Sequence, residues 1–116
     1  MTENSTKEHV ILFVDDEEKT RKYFSRLFGQ NFKILLAEDG VQGLEIFQQH
    51  LDEIVVVVTD QRMPNMTGTQ LLDKVADMKP SCIRILSTAY SDVESAVESV
   101  NHGAVSYTHL TLPTKA

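Results

Sequence analysis

Three aspartates carry the chemistry that can be read in this chain. Asp60 closes the apolar run Ile54-Val55-Val56-Val57-Val58-Thr59, and Asp15 and Asp16 follow a second one, Val10-Ile11-Leu12-Phe13-Val14. An unbroken β-branched run reads as a strand buried on both faces, the kind found in parallel sheets. An acid at its end stands at the sheet's carboxyl edge, where open α/β folds place their sites. Two strands that deliver carboxylates to one edge imply a cation site and a reactive aspartate, provided the strands are neighbours. Like charges about 4 Å apart repel by roughly 4 kcal/mol at an effective dielectric near 20. Three carboxylates together are therefore unfavourable unless a divalent cation neutralises them, and hard oxygen ligands with space for water favour Mg²⁺. By themselves, Asp15-Asp16-Glu17 also read as a solvated loop and a helix cap. The placement of both acidic groups at strand ends weighs against that plainer reading.

The elements that must position these acids alternate along the chain. Val10 to Val14 is the first strand. Glu18 to Phe28 carries Tyr23, Phe24, Leu27 and Phe28 at helical spacing and stops at Gly29. Phe32 to Ala37 is the second strand. Asp39 is placed to cap a helix with Val41, Leu44, Phe47 and Leu51 on its apolar side. Ile54 to Thr59 is the third strand. Thr67-Gly68-Thr69-Gln70 fits a capping box ahead of Leu71, Leu72, Val75 and Met78, and Lys79-Pro80 ends that helix. Ile83 to Leu86 is a short fourth strand. Ser91-Asp92-Val93-Glu94 is another capping box, and Gly103 ends the helix that follows it. Four strand–helix units with right-handed crossovers give a doubly wound parallel sheet. Val105 to Thr108 can begin a fifth strand, but Leu110-Thr111-Leu112-Pro113-Thr114 fits no helix to cover the sheet.

Thr88 lies just past the fourth strand, where its hydroxyl can donate to a phosphoryl oxygen, and Ala89 leaves room beside it. A local turn hydrogen bond is the plainer reading of Thr88, and Ser87 is a competing hydroxyl. Met63 and Met66 read as packing residues. His9, His50, His102 and His109 show no metal-ligand spacing. With 116 residues, 41% of them hydrophobic, the chain suits one globular domain. A net charge of −6 without a Lys/Arg cluster argues against direct nucleic-acid binding. The apolar runs are too short for a membrane span, and residues 1–8 form a polar extension without the apolar core of a signal peptide. Cys82 is the sole cysteine, which excludes an intrachain disulfide and reads as a small buried hydrophobe. A cytoplasmic location is the expectation.

Val14-Asp15-Asp16-Glu17, Asp60-Gln61-Arg62-Met63-Pro64 with Gly68, and Ser87-Thr88-Ala89 together resemble the receiver domain of two-component response regulators. The resemblance covers Val10 to Ala104 and implies a flavodoxin-like sheet of strand order 2-1-3-4-5. It implies that Asp60 is the phosphoacceptor, taking a phosphoryl group from a sensor histidine kinase or phosphotransfer protein, or from a small acyl phosphate. It further implies that Asp16 ligates Mg²⁺ directly, that Asp15 reaches it through water, and that the backbone carbonyl of Arg62 is the remaining protein ligand. Thr88 matches the switch hydroxyl, and Tyr107 falls where the family often has a switch aromatic. Pro64 and Gly68 shape the loop after the acceptor. Arg62 and Tyr90 stand at the positions that tune water access and dephosphorylation. No enzymatic turnover is implied beyond self-phosphorylation and self-dephosphorylation, and the output domain is missing from this chain.

The end of the chain departs from the family. The lysine expected near the end of the fifth strand falls at Leu110, and the proline after it at Thr111. Residues 105–114 also resemble one reading frame of a transposase-based sequencing-library adapter. The expectation is a receiver domain over 9–104, with an incomplete last strand and helix, and a non-native tail over 105–116. A natural truncated or divergent receiver is the alternative. Two other functions compete with the phosphoacceptor reading. One is a phosphorylation-independent binding module, which the missing lysine supports. The other is an aspartate-nucleophile phosphatase of the haloacid dehalogenase type. That reading meets an acid at the spacer position of its motif in Asp15-Asp16-Glu17, and it leaves Asp60 unexplained.

Overall fold

The computed structural model describes residues 9–87 and 109–110. Its elements run β1 (Val10–Val14), α1 (Glu18–Phe28), β2 (Lys33–Ala37), α2 (Gly40–Gln49), β3 (Ile54–Asp60), α3 (Gly68–Met78), β4 (Ile83–Ser87) and β5 (His109–Leu110). The strands form one sheet in the order β2-β1-β3-β4-β5, with every pair parallel. This is the doubly wound sheet expected from the alternating pattern, in the flavodoxin-like strand order that the resemblance implies. The fifth strand is two residues long among the described residues. The helix expected over 91–103 and the strand start at 105–108 lie outside the described residues. No helix among the described residues is long and apolar enough to cross a membrane.

Side-chain alternation along each strand divides the core in two. Leu12, Val14, Val57 and Leu86 point to one face and pack with Phe47 of α2 and Leu71, Leu72 and Val75 of α3. Ile11, Phe13 and Val58 point to the other face and pack with Phe24 of α1. The rings of Phe13 and Phe24 stack with centroids 4.0 Å apart. Cys82 is 4% exposed within the first cluster, and burial pushes its thiol upward from the ordinary range. It behaves as the small hydrophobe expected.

Several boundaries differ from the periodicity, each for a local reason. β3 runs one residue further than its apolar stretch, because Asp60 still pairs with Ser87 of β4. α2 stops at Gln49, and the His50 amide closes it on the Ile46 and Phe47 carbonyls. Leu51 therefore leaves the helix, yet it still packs on the core. Val41 is exposed rather than inward. The helix approaches the sheet through Gly43 instead, where an added Cβ would press on a methyl of Val14.

Candidate functional site

Strand register brings the acids together. Val14 pairs with Thr59 across β1 and β3, so Asp15 and Asp60, the next residue of each chain segment, stand at the same level of the carboxyl edge. One carboxylate oxygen from each of Asp15, Asp16 and Asp60 falls within a common 4.8 Å. Asp15 is buried, Asp60 half-buried and Asp16 exposed. The cluster is thus open on one side and closed on the other.

Asp15 is held on every side. Its amide donates to the Ala37 carbonyl (3.1 Å), its Oδ1 accepts the Glu17 amide (2.9 Å), and its carbonyl accepts from the Arg21 guanidinium of α1 (2.8 Å). Burial pushes its carboxyl up to about 6. The Glu17 amide and the Arg21 charge pull the other way, and the neighbouring Asp16 and Glu17 charges add to the rise. A buried carboxyl with two acidic neighbours is a group that a cation would relieve. Three hard oxygen donors in reach of one point, with one side open to water, fit Mg²⁺.

The loop after Asp60 is built tightly. The Gln61 amide donates to Asp60 Oδ1 (2.8 Å). Met66 N–H bonds back to the Pro64 carbonyl (2.8 Å), with Asn65 between them at φ 74. That left-handed conformation suits asparagine among non-glycine residues. Gly68 is required by space and not by a special φ: an added Cβ would overlap the Asp60 carbonyl oxygen. Thr67 and Gln70 form the expected reciprocal capping box at α3. Met63 and Met66 pack against the core as expected, the latter beside Gly40. Arg62 is exposed on the loop.

Ser87 ends β4 directly opposite Asp60, and Leu110 of β5 is opposite Ser87. Asp60, Ser87 and Leu110 thus share one row across three strands, and Leu110 holds the fifth-strand position next to the acid edge. Thr88, Ala89, Tyr90 and Tyr107 lie outside the described residues. Gln61, Arg21 and Asn65 are the site residues that sequence reasoning missed. Of these only Asn65 left a signal, as a turn-former between Pro64 and the helix cap.

Residues 11–110 match the family described as response regulator receiver domain. Regulatory protein AtoC of Escherichia coli (strain K12) is 39% identical over 99 residues, covering 84% of this chain and 21% of that protein. Transcriptional regulatory protein FixJ of Rhizobium meliloti (strain 1021) is 34% identical over 103 residues, covering 86% of this chain and 48% of its own length. The chain therefore spans about a fifth to a half of these two relatives. Among solved structures, a response regulator receiver domain protein from Clostridium thermocellum superposes with a TM-score of 0.80 at 29% identity, over 92% of this chain and 84% of its own.

Proposed function

Because this chain belongs to the response regulator receiver domain family, we propose that it is a phosphoacceptor switch in which Asp60 receives the phosphoryl group. The observation that carries the reading is the convergence of Asp15, Asp16 and Asp60 within 4.8 Å at the carboxyl end of β1 and β3. Asp15, Asp16, Asp60 and the carbonyl of Arg62 would hold Mg²⁺. When bound, the ion offsets the negative charge that accumulates on the transferring phosphoryl oxygens. An Asp60 carboxylate oxygen attacks phosphorus of a phosphohistidine on a sensor kinase or phosphotransfer protein. A new O–P bond forms as the N–P bond breaks, and the electron pair stays on the imidazole nitrogen. With acetyl phosphate, acetate leaves in place of the imidazole. Thr88 would then be drawn toward the phosphoryl oxygens, and Arg62 and Tyr90 would limit access of the water that removes them.

Receivers are signalling domains, and their effect is delivered by an output domain or a partner. Both relatives described above are regulatory proteins longer than this chain. We assign this chain the same kind of role, in the cytoplasm, as the input half of a longer regulator.

Intact mass after incubation with acetyl phosphate and Mg²⁺ tests the assignment. The wild type should gain one phosphoryl group, and Asp60→Asn or added EDTA should abolish it. Labelling of Asp60→Asn at the wild-type level would sink the assignment. A phosphorylation-independent binding module is the second reading, favoured by Leu110 in the row of Asp60 and Ser87. The same samples separate the two, because a binding module takes no label in the wild type.

A further inference from the structure

We infer that Gln61 is a positioning residue for phosphoryl transfer, fixing the direction of the Asp60 carboxylate by tying its peptide to the N-terminus of α3. The inference rests on the phosphoacceptor reading of Asp60. Gln61 is 9% exposed, an unusual place for an amide side chain on a loop. Burial is tolerated because the side chain is bonded at both atoms. Its Oε1 accepts the Thr69 amide (2.9 Å), and its Nε2 reaches Thr69 Oγ1 at 3.4 Å. Its carbonyl accepts the Gly68 amide (3.0 Å), and its own amide donates to Asp60 Oδ1 (2.8 Å).

These bonds have a particular meaning at a helix start. The cap and the first three residues of a helix leave four backbone N–H groups without intrahelical partners. In α3 the Thr67 amide goes to Gln70 Oε1 and the Gln70 amide to Thr67 Oγ1. The other two, Gly68 and Thr69, both go to Gln61. Residue 61 thus supplies half the cap of the helix while its remaining donor holds the nucleophile. Gly68 approaches the Asp60 carbonyl too closely for any side chain. The peptide between Asp60 and Gln61 is therefore clamped by the helix on one side and bonded to the carboxylate on the other. One carboxylate oxygen is engaged by the Gln61 amide, which sets where the second one points. Fixing a reacting atom in this way lowers the barrier without adding a contact to the phosphoryl group.

The test uses the 116-residue chain and its Gln61→Met variant, which keeps the side-chain length and removes both side-chain bonds. Phosphorylation by phosphoramidate is followed by intact mass across a Mg²⁺ series, with rates expressed per folded molecule from circular dichroism. The maximal rate should fall about tenfold, as expected for a misdirected nucleophile, while half-saturating Mg²⁺ moves less than about twofold. The Gln61 backbone amide proton, observed by NMR, should lose its carboxylate-bonded downfield shift. A wild-type maximal rate per folded molecule in the variant overturns the positioning role. A rate loss matched by weaker Mg²⁺ binding also overturns it, because the damage would then lie in the acidic cluster. A wild type that takes no label overturns the phosphoacceptor reading instead. The amide shift still decides the clamp in that case: if residue 61 keeps its shift in the variant, the side chain does not direct the carboxylate.

Discussion

Residues 15–17 link β1 to α1, and residues 61–67 link β3 to α3. The first link carries Asp15 and Asp16 of the acidic cluster and the second follows directly on Asp60, but the two are held by different means. At α1 the N-cap is Glu17, which makes no side-chain cap bond, and its amide is taken by Asp15 Oδ1. The link is stabilised by a carboxylate that is itself buried and beside two like charges. At α3 all four orphan amides are met by neutral groups from Thr67, Gln70 and Gln61. The first link rests on a buried carboxylate with acidic neighbours, whereas the second is capped by neutral groups throughout. On the proposed function the difference separates two tasks: the β1 side would be the part whose energy depends on what binds, and the β3 side the frame against which that binding is felt.

The largest expected effect comes from breaking the rigid side. Gly68→Ala places a Cβ on the Asp60 carbonyl, a backbone atom that cannot rotate away. Either β3 or the start of α3 must shift, and overpacking of this kind costs about 3 kcal/mol. Urea unfolding should show the loss directly. The mutant should also phosphorylate poorly even where it is folded. A midpoint within error of the wild type would mean that the two segments slide past one another easily, and the idea of a rigid frame would fail.

An intermediate effect belongs to the charged side and reverses with Mg²⁺. The folded carboxyl of Asp15 is raised from 3.8 to about 6, so the folded state holds this proton more tightly than the unfolded chain. Its contribution to stability is therefore present below pH 3.8 and is lost as the pH rises through about 6. In EDTA the urea midpoint of the wild type should fall across that window, and Asp15→Asn should flatten the fall. Mg²⁺ at ten times its dissociation constant should restore about 1.4 kcal/mol to the wild type at neutral pH and less to Asp15→Asn. Identical pH profiles in EDTA for the two chains would remove Asp15 from the account.

What the sequence made legible follows the same division. The acids of the first link were visible because each follows an apolar run, and a strand end is a one-dimensional signal. That the two strands are neighbours came only with the strand order that the resemblance implies, and the β1–β3 pairing bears it out. The capping box Thr67–Gln70 was also local, spanning four residues, and so was readable. Gln61 was not, because its partners lie seven and eight positions away and nothing in periodicity links a loop amide to a helix start. The partner of Gly68 was hidden for the same reason. The sequence placed it in the loop that Pro64 and Gly68 shape, and the structure supplies the atom it must clear, the Asp60 carbonyl oxygen. Val41 was read as inward because helical spacing rewards a large apolar residue, yet it is exposed. The close approach of α2 to Val14 is made through Gly43.

The smallest effect sharpens the comparison at the helix caps themselves. Thr67→Ala removes the hydroxyl that accepts the Gln70 amide (3.2 Å) and leaves half of the box without its partner. Loss of such a cap costs about 1 kcal/mol. Glu17→Ala removes an exposed side chain whose one bond is to the Thr20 hydroxyl (3.0 Å). It also removes one of the charges that raise Asp15. These two consequences oppose each other, so Glu17→Ala should change stability in EDTA by less than about 0.5 kcal/mol, as for an ordinary surface position. Glu17→Ser goes further, offering a short hydroxyl at the cap and no charge, and should raise the metal-free midpoint above that of the wild type. Paired urea titrations of the three variants measure the asymmetry between the links. If Glu17→Ala costs as much as Thr67→Ala, the α1 cap is as well made as the α3 cap, and the dependence of the β1 side on a cation must be sought in Asp15 alone.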